Sequence, residues 1–104
     1  MAGFTVIDRQ GDHILLALEG DLTGRVMTDR LKEALEEHYV DDGVRVIRVD
    51  LSPVRFMDSY GVATLVGLLR ASQDRGKRFV VEGAGGQVRE KLRVTGVLGI
   101  LEQG

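Results

Sequence analysis

Cysteine is absent from the 104 residues, which excludes a disulfide framework and thiol chemistry. The absence fits a reducing compartment. The two histidines, His13 and His38, lack the spacing of a zinc pair. No apolar run approaches the ~20 residues of a membrane span, so direct membrane insertion is not expected. Met1-Ala2-Gly3 leads straight into a strand pattern, with no signal peptide, and a cytoplasmic location is expected. The formal net charge is −2, which argues against a nucleic-acid binder that neutralises phosphates. No G-x-S-x-G elbow surrounds a serine, and no base is identifiable near one, so an enzyme is not expected. The cluster Gly83-Ala84-Gly85-Gly86 lacks both the lysine of a phosphate loop and the G-x-G-x-x-G spacing, so it reads as a loop and cap. Asp41-Asp42-Gly43 has no alternating ligand loop after it and reads as a turn. No cofactor or metal is expected.

What remains is an ordinary globular balance, with 29% charged and 43% hydrophobic residues. One hydrophobic pattern runs through residues 1–104, which implies one domain with a modest core. Phe4, Val6 and Ile7 mark a short edge strand, Gln10-Gly11-Asp12 a turn, and Ile14 to Leu18 a second strand in hairpin relation to the first. Glu19 to Thr23 ends that strand, and Thr23 is suited to cap the helix that follows. Met27, Leu31, Ala34, Leu35 and His38 trace one helix face. Phe79 to Glu82 is a further strand. Val88, Leu92 and Thr95 form a short helix face that Gly96 stops, and Val97 to Leu101 reads as a last strand or turn.

The most informative stretch runs from Val44 to Arg75. Val44, Val46, Ile47 and Val49 lead to Leu51 as a buried strand reads, although Arg45 and Arg48 interrupt it. Ser52-Pro53 breaks the pattern, because proline has no N–H for a ladder. Val62, Leu65, Val66 and Leu69 then follow at helical spacing, and Gly76 stops the helix. These residues, with Val49 and Leu51, are the expected core. Asp58 and Ser59 therefore fall where a helix opens after a strand. They can be simple caps, since their oxygens accept from first-turn N–H groups. The same field also suits a phosphoryl group on Ser59. Tyr60 beside them suits either an interface or packing on a nearby loop.

The alternation of strands and helices after an opening hairpin implies an α/β fold. Its sheet is mixed but mostly parallel, with an antiparallel edge and helices packed on it. Asp50-Leu51, Phe56-Met57 and Asp58-Ser59-x-Gly61 resemble the signature of STAS domains, and the order of elements agrees. These domains include the anti-sigma-factor antagonists. The resemblance implies a protein-binding switch whose partner is an anti-sigma factor with a GHKL-type serine kinase fold. It implies phosphorylation at Ser59 and a contact surface made of Asp58, Ser59, Tyr60 and Gly61. Asp21, Thr23, Gly85 and Gly86 are implied at its rim. Thr23 stands where phosphorylated antagonists usually have a second acid. Antagonists also usually carry one more C-terminal helix, which is not expected here. Both departures resemble a second branch, the STAS subunit of a bacterial phospholipid-trafficking ABC transporter, whose partner is the ATPase subunit.

Overall fold

The expected hairpin opens the fold. β1 (Gly3–Gln10) and β2 (His13–Leu22) pair antiparallel, with Gln10 opposite His13 across the tight turn. A computed structural model of the chain describes residues 3–103, apart from the side chains at positions 3–7, 19, 27, 28 and 37. The strand expected from Phe4, Val6 and Ile7 is therefore present as backbone, while their side chains, like that of Met27, lie outside the described residues.

α1 (Gly24–Tyr39) is followed by β3 (Val46–Asp50), β4 (Val54–Met57), α2 (Ser59–Asp74), β5 (Arg78–Glu82), α3 (Gly86–Val94) and α4 (Leu98–Gln103). The sheet order is β1-β2-β3-β5, and β3 runs parallel to both of its neighbours. β4 pairs with β2 at Gly20 and Leu22, beyond the stretch His13–Ala17 that β3 uses. This pairing is why β2 continues to Leu22 instead of ending at the Glu19–Thr23 segment.

The sheet is buried on one face. Ile14, Leu16 and Leu18 of β2, Ile47 and Val49 of β3, and Phe79 and Val81 of β5 are buried, while the intervening residues are not. Period-2 alternation puts them all on the side that carries the helices. Arg48 belongs to the other side, where it forms a two-bond ion pair with Glu82 at 2.8 and 3.0 Å. The mixed reading of the Val44–Leu51 run thus reflects a strand buried on one face only.

α1 packs on α2, and α2 and α4 pack on β5. Leu31 and Leu35 of α1 are buried as expected. On α2, Val62, Leu65 and Leu69 are buried, but Val66 is only half-buried, and Leu68 takes the place expected for it. The face is completed by two buried hydroxyls. Thr64 Oγ1 donates to Tyr60 O and Ser72 Oγ to Leu68 O, each at 2.8 Å, so neither is left unpaired. Gly76 ends the helix at φ +69, with Gly76 N–H donating to Gln73 O and Lys77 N–H to Ser72 O. Lys77 is 7% exposed, yet its ammonium is satisfied by the carbonyls of Asp41 and Val44 at 2.6 and 2.5 Å. It ties the turn after α1 to the turn after α2.

Two elements differ from the sequence pattern. Val54–Met57 is a strand, not a plain crossing, with only its end residues Val54 and Met57 buried. Val97–Leu101 is not a strand but leads into α4, so a helix follows α3 after all. Leu101 is buried there, and the carbonyl of Gln103 accepts from Arg78 of β5 at 2.9 Å. A five-residue apolar run fits helix or strand equally, and docking on β5 decides.

Two outcomes should follow. Leu65→Ala should cost about 2–5 kcal/mol in urea unfolding, whereas Val66→Ala should cost about 1 kcal/mol or less. Tyr39 is buried, and desolvation pushes its phenol up to about 12, against a smaller lowering by the Ser72 hydroxyl. The folded value exceeds the unfolded one, so this contribution is intact below about pH 10 and is lost as pH rises towards 12. Tyr39→Phe should therefore flatten the stability profile in that window.

Candidate functional site

The turn from β3 to α2 is built by backbone capture. Asp50, the acid that begins the motif, accepts from Ser52 N–H at 2.9 Å. Val54 N–H returns to Leu51 O at 2.9 Å, which launches β4. At the far end of β4, Asp58 N–H donates to Leu22 O of β2 at 3.4 Å.

Asp58 then caps two helices at once. Its Oδ1 accepts from Gly61 N–H at 3.0 Å, inside the first turn of α2. Its Oδ2 accepts from Gly24 N–H at 2.9 Å, the first residue of α1. Thr23 occupies the N-cap position of α1, but its side chain makes no capping bond. The expected Thr23 cap is therefore replaced by a carboxylate 34 residues away in sequence. A carboxylate is the better acceptor here, because it carries a full negative charge to the positive ends of two helix dipoles.

Gly61 is buried under this arrangement. A Cβ at position 61 would lie 2.4 Å from the carbonyl oxygen of Leu22 and 2.7 Å from Met57 Cγ. The glycine of the motif is thus required by the close approach of α2 to β2.

Ser59, the first residue of α2, is exposed. Its neighbours Phe56 and Tyr60 are exposed at 48% and 58%. Tyr60 is therefore at the surface and not packed under a loop. The apolar pair of the motif is split, with Met57 fully buried and Phe56 turned outward. Tyr60 also lines a recess of about 280 Å³ with Arg25, Asp29, Lys32, Ala63 and Thr64. Asp21 is exposed and adjoins Leu22, whose carbonyl receives the Asp58 amide. Gly85 caps α3, and both Gly85 and Gly86 are exposed.

One contact that links these parts was not visible in the sequence. Gln87, in the first turn of α3, accepts from Met57 N–H at 3.0 Å and donates to Met57 O at 3.1 Å. It places the Gly85-Gly86 loop beside the strand end that precedes Asp58. A glutamine at a helix start carries no signal of such a partner.

The chemistry available here is limited. Both oxygens of Asp58 accept from backbone N–H groups, so the role the structure shows for this carboxylate is that of a cap. Among the described residues, no group of three or more His, Cys, Asp or Glu is placed to hold a metal ion. Nor is any described helix long and apolar enough to cross a membrane. The geometry is that of a small α/β module with an exposed serine at a capped helix start.

Comparison with known proteins gives this module its family. The family model described as "Mlab, STAS domain" matches residues 5–102. The anti-sigma-B factor antagonist of Listeria monocytogenes serovar 1/2a is 32% identical over 95 residues, which cover 91% of this chain and 82% of that protein. The chain belongs to the STAS domain family. Among solved structures, the anti-sigma factor antagonist SpoIIAA in its unphosphorylated form aligns with a TM-score of 0.80 at 18% identity, over 93% of this chain and 84% of that one. The Bacillus cell fate determinant SpoIIAA in the phosphorylated form aligns with a TM-score of 0.75 at 19% identity, over 96% and 88%. At these identities the structural likeness establishes the fold.

The double cap is directly testable. Asp58→Ala should cost about 1–4 kcal/mol, the sum of two lost caps. Asp58→Asn keeps one acceptor and should cost about half as much. Gly61→Ala should destabilise by about 1–3 kcal/mol or more through overpacking. Chemical denaturation of the three variants checks all of these values.

Proposed function

We propose that this chain is an anti-sigma-factor antagonist: a protein-binding switch, not an enzyme, controlled by phosphorylation of Ser59. The observation that carries the reading is the exposed Ser59 hydroxyl at the capped start of α2, flanked by exposed Phe56 and Tyr60. The Listeria relative, with its name, supports the partner class. In its unphosphorylated form the chain binds a cytoplasmic anti-sigma factor of GHKL-type kinase fold and releases the sigma factor. Asp58, Ser59, Tyr60 and the start of α2 from Gly61 make the contact. Asp21, Thr23, Gly85 and Gly86 form its rim.

The switch follows from local electrostatics. In this reading the kinase-type partner supplies the base that takes the Ser59 proton. A phosphoryl group brings nearly two negative charges to the first turn of α2, where the helix dipole tolerates them. The fold is therefore kept. The docked partner has to desolvate that charge unpaired, at a cost of several kcal/mol. Affinity falls mainly through faster dissociation, since a buried charge matters more after docking than during approach.

Thr23, which replaces the second acid, favours a second reading in which the same surface binds a transporter ATPase subunit and Ser59 is not a phosphorylation site. α4 removes the other argument for that branch, because the helix after α3 is present.

Incubation with the cognate kinase-type anti-sigma factor and ATP should add one phosphate, and Ser59→Ala should abolish it. A phosphate on Thr23, or none with an active kinase, counts against the reading. Ser59→Asp should weaken binding while circular dichroism and stability stay within about 0.5 kcal/mol of the native chain. Undiminished binding by Ser59→Asp would place the serine outside the contact.

A further inference from the structure

β4 is a four-residue strand with sheet pairing only to β2 among the described strands. Such a short strand has little to hold it in register. Within a strand, the N–H and C=O of one residue point the same way, and those of the next residue point oppositely. Asp58 N–H is directed to β2, where it meets Leu22 O. Both polar groups of Met57 are directed the other way, and both are met by one side chain, Gln87, at 3.0 and 3.1 Å. The carboxamide thus stands in for the residue that a further strand would place there.

We infer that Gln87 is the positioning residue of the Ser59 site: its carboxamide fixes the strand end from which Asp58 and Ser59 emerge. Only a primary amide of this length serves both groups. Asparagine is one methylene shorter, and glutamate offers two acceptors and no proton for the Met57 carbonyl. Met57 itself is fully buried, so its backbone cannot shift without disturbing the core. Asp58 follows directly, and its two capping bonds need its backbone in one place. Gln87 therefore acts on Ser59 through Met57 and Asp58. It also couples the Gly85-Gly86 loop to the serine, so that a partner pressing on the loop alters how the acceptor is presented. The consequence for binding and phosphorylation rests on the antagonist reading above. The consequence for backbone order does not.

The full chain is compared with Gln87→Ala and with the isosteric Gln87→Glu. The readouts are amide hydrogen exchange and phosphorylation by the kinase-type anti-sigma factor that modifies the native chain. The amides of Gly24 and Gly61 are the diagnostic ones, since Asp58 holds both and neither has a bond to Gln87. Protection at Gly24 and Gly61 should fall in both variants, while Leu65 and Phe79 keep theirs. The kcat/KM for phosphorylation should fall by roughly tenfold to a hundredfold, the upper figure being that for a reacting group misplaced by about 1 Å. Unchanged protection at Gly24 and Gly61 overturns the inference. So does protection lost equally at Leu65 and Phe79, which would mean general destabilisation. Native behaviour of Gln87→Glu, or lost protection with an unaltered kcat/KM, overturns it too. If no kinase-type anti-sigma factor binds or phosphorylates the native chain, the antagonist reading fails, and the exchange pattern alone decides the role of Gln87.

Discussion

One carboxylate holds the starts of two helices. Asp58 accepts from Gly61 N–H in α2 and from Gly24 N–H in α1, at 3.0 and 2.9 Å. Two helix N-termini brought together present like partial charges, and a shared anion removes that conflict. Much of the site follows from it. α2 has to approach β2 so closely that position 61 admits no Cβ, and Thr23 is relieved of capping α1. Ser59 follows at the surface, one residue after the acid that caps the helix.

Behind this point lies the apolar core. The helices cover one face of the sheet, and the polar groups that enter the core arrive already partnered. Thr64 and Ser72 bond back to their own helix, and the Lys77 ammonium sits on two carbonyls. No buried side-chain polar atom among the described residues lacks a partner. In front of it, Phe56, Ser59 and Tyr60 are exposed together. Both oxygens of Asp58, the acid next to the serine, are bonded to backbone N–H groups.

Much of this was legible in the residues. The run from Val44 to Leu51, the helical spacing of Val62, Leu65 and Leu69, and the stop at Gly76 each carry a local physical cause. The Asp-Ser-x-Gly motif at residues 58–61 marks the helix start for the same reason, because an acid and a glycine are both needed there. Less legible were β4 and α4, each too short for its period to be distinctive. Val66 lies at the edge because the buried face of α2 is turned towards Gly61, Leu68 and Ser72, away from the side on which Val66 stands.

The sequence by itself determined the strands β1, β2, β3 and β5, where the long helices begin and end, and which serine stands at a helix start. These are local matters, set by side-chain period, backbone preference and the needs of nearby N–H groups. Tertiary structure alone decided which partners those groups take. Asp58 reaches α1 across 34 residues, Gln87 meets Met57 across 30, and Lys77 meets the carbonyl of Asp41 across 36. A single hydrogen bond between distant segments leaves no period in the chain, because it depends on how the elements are stacked and not on the residues beside it.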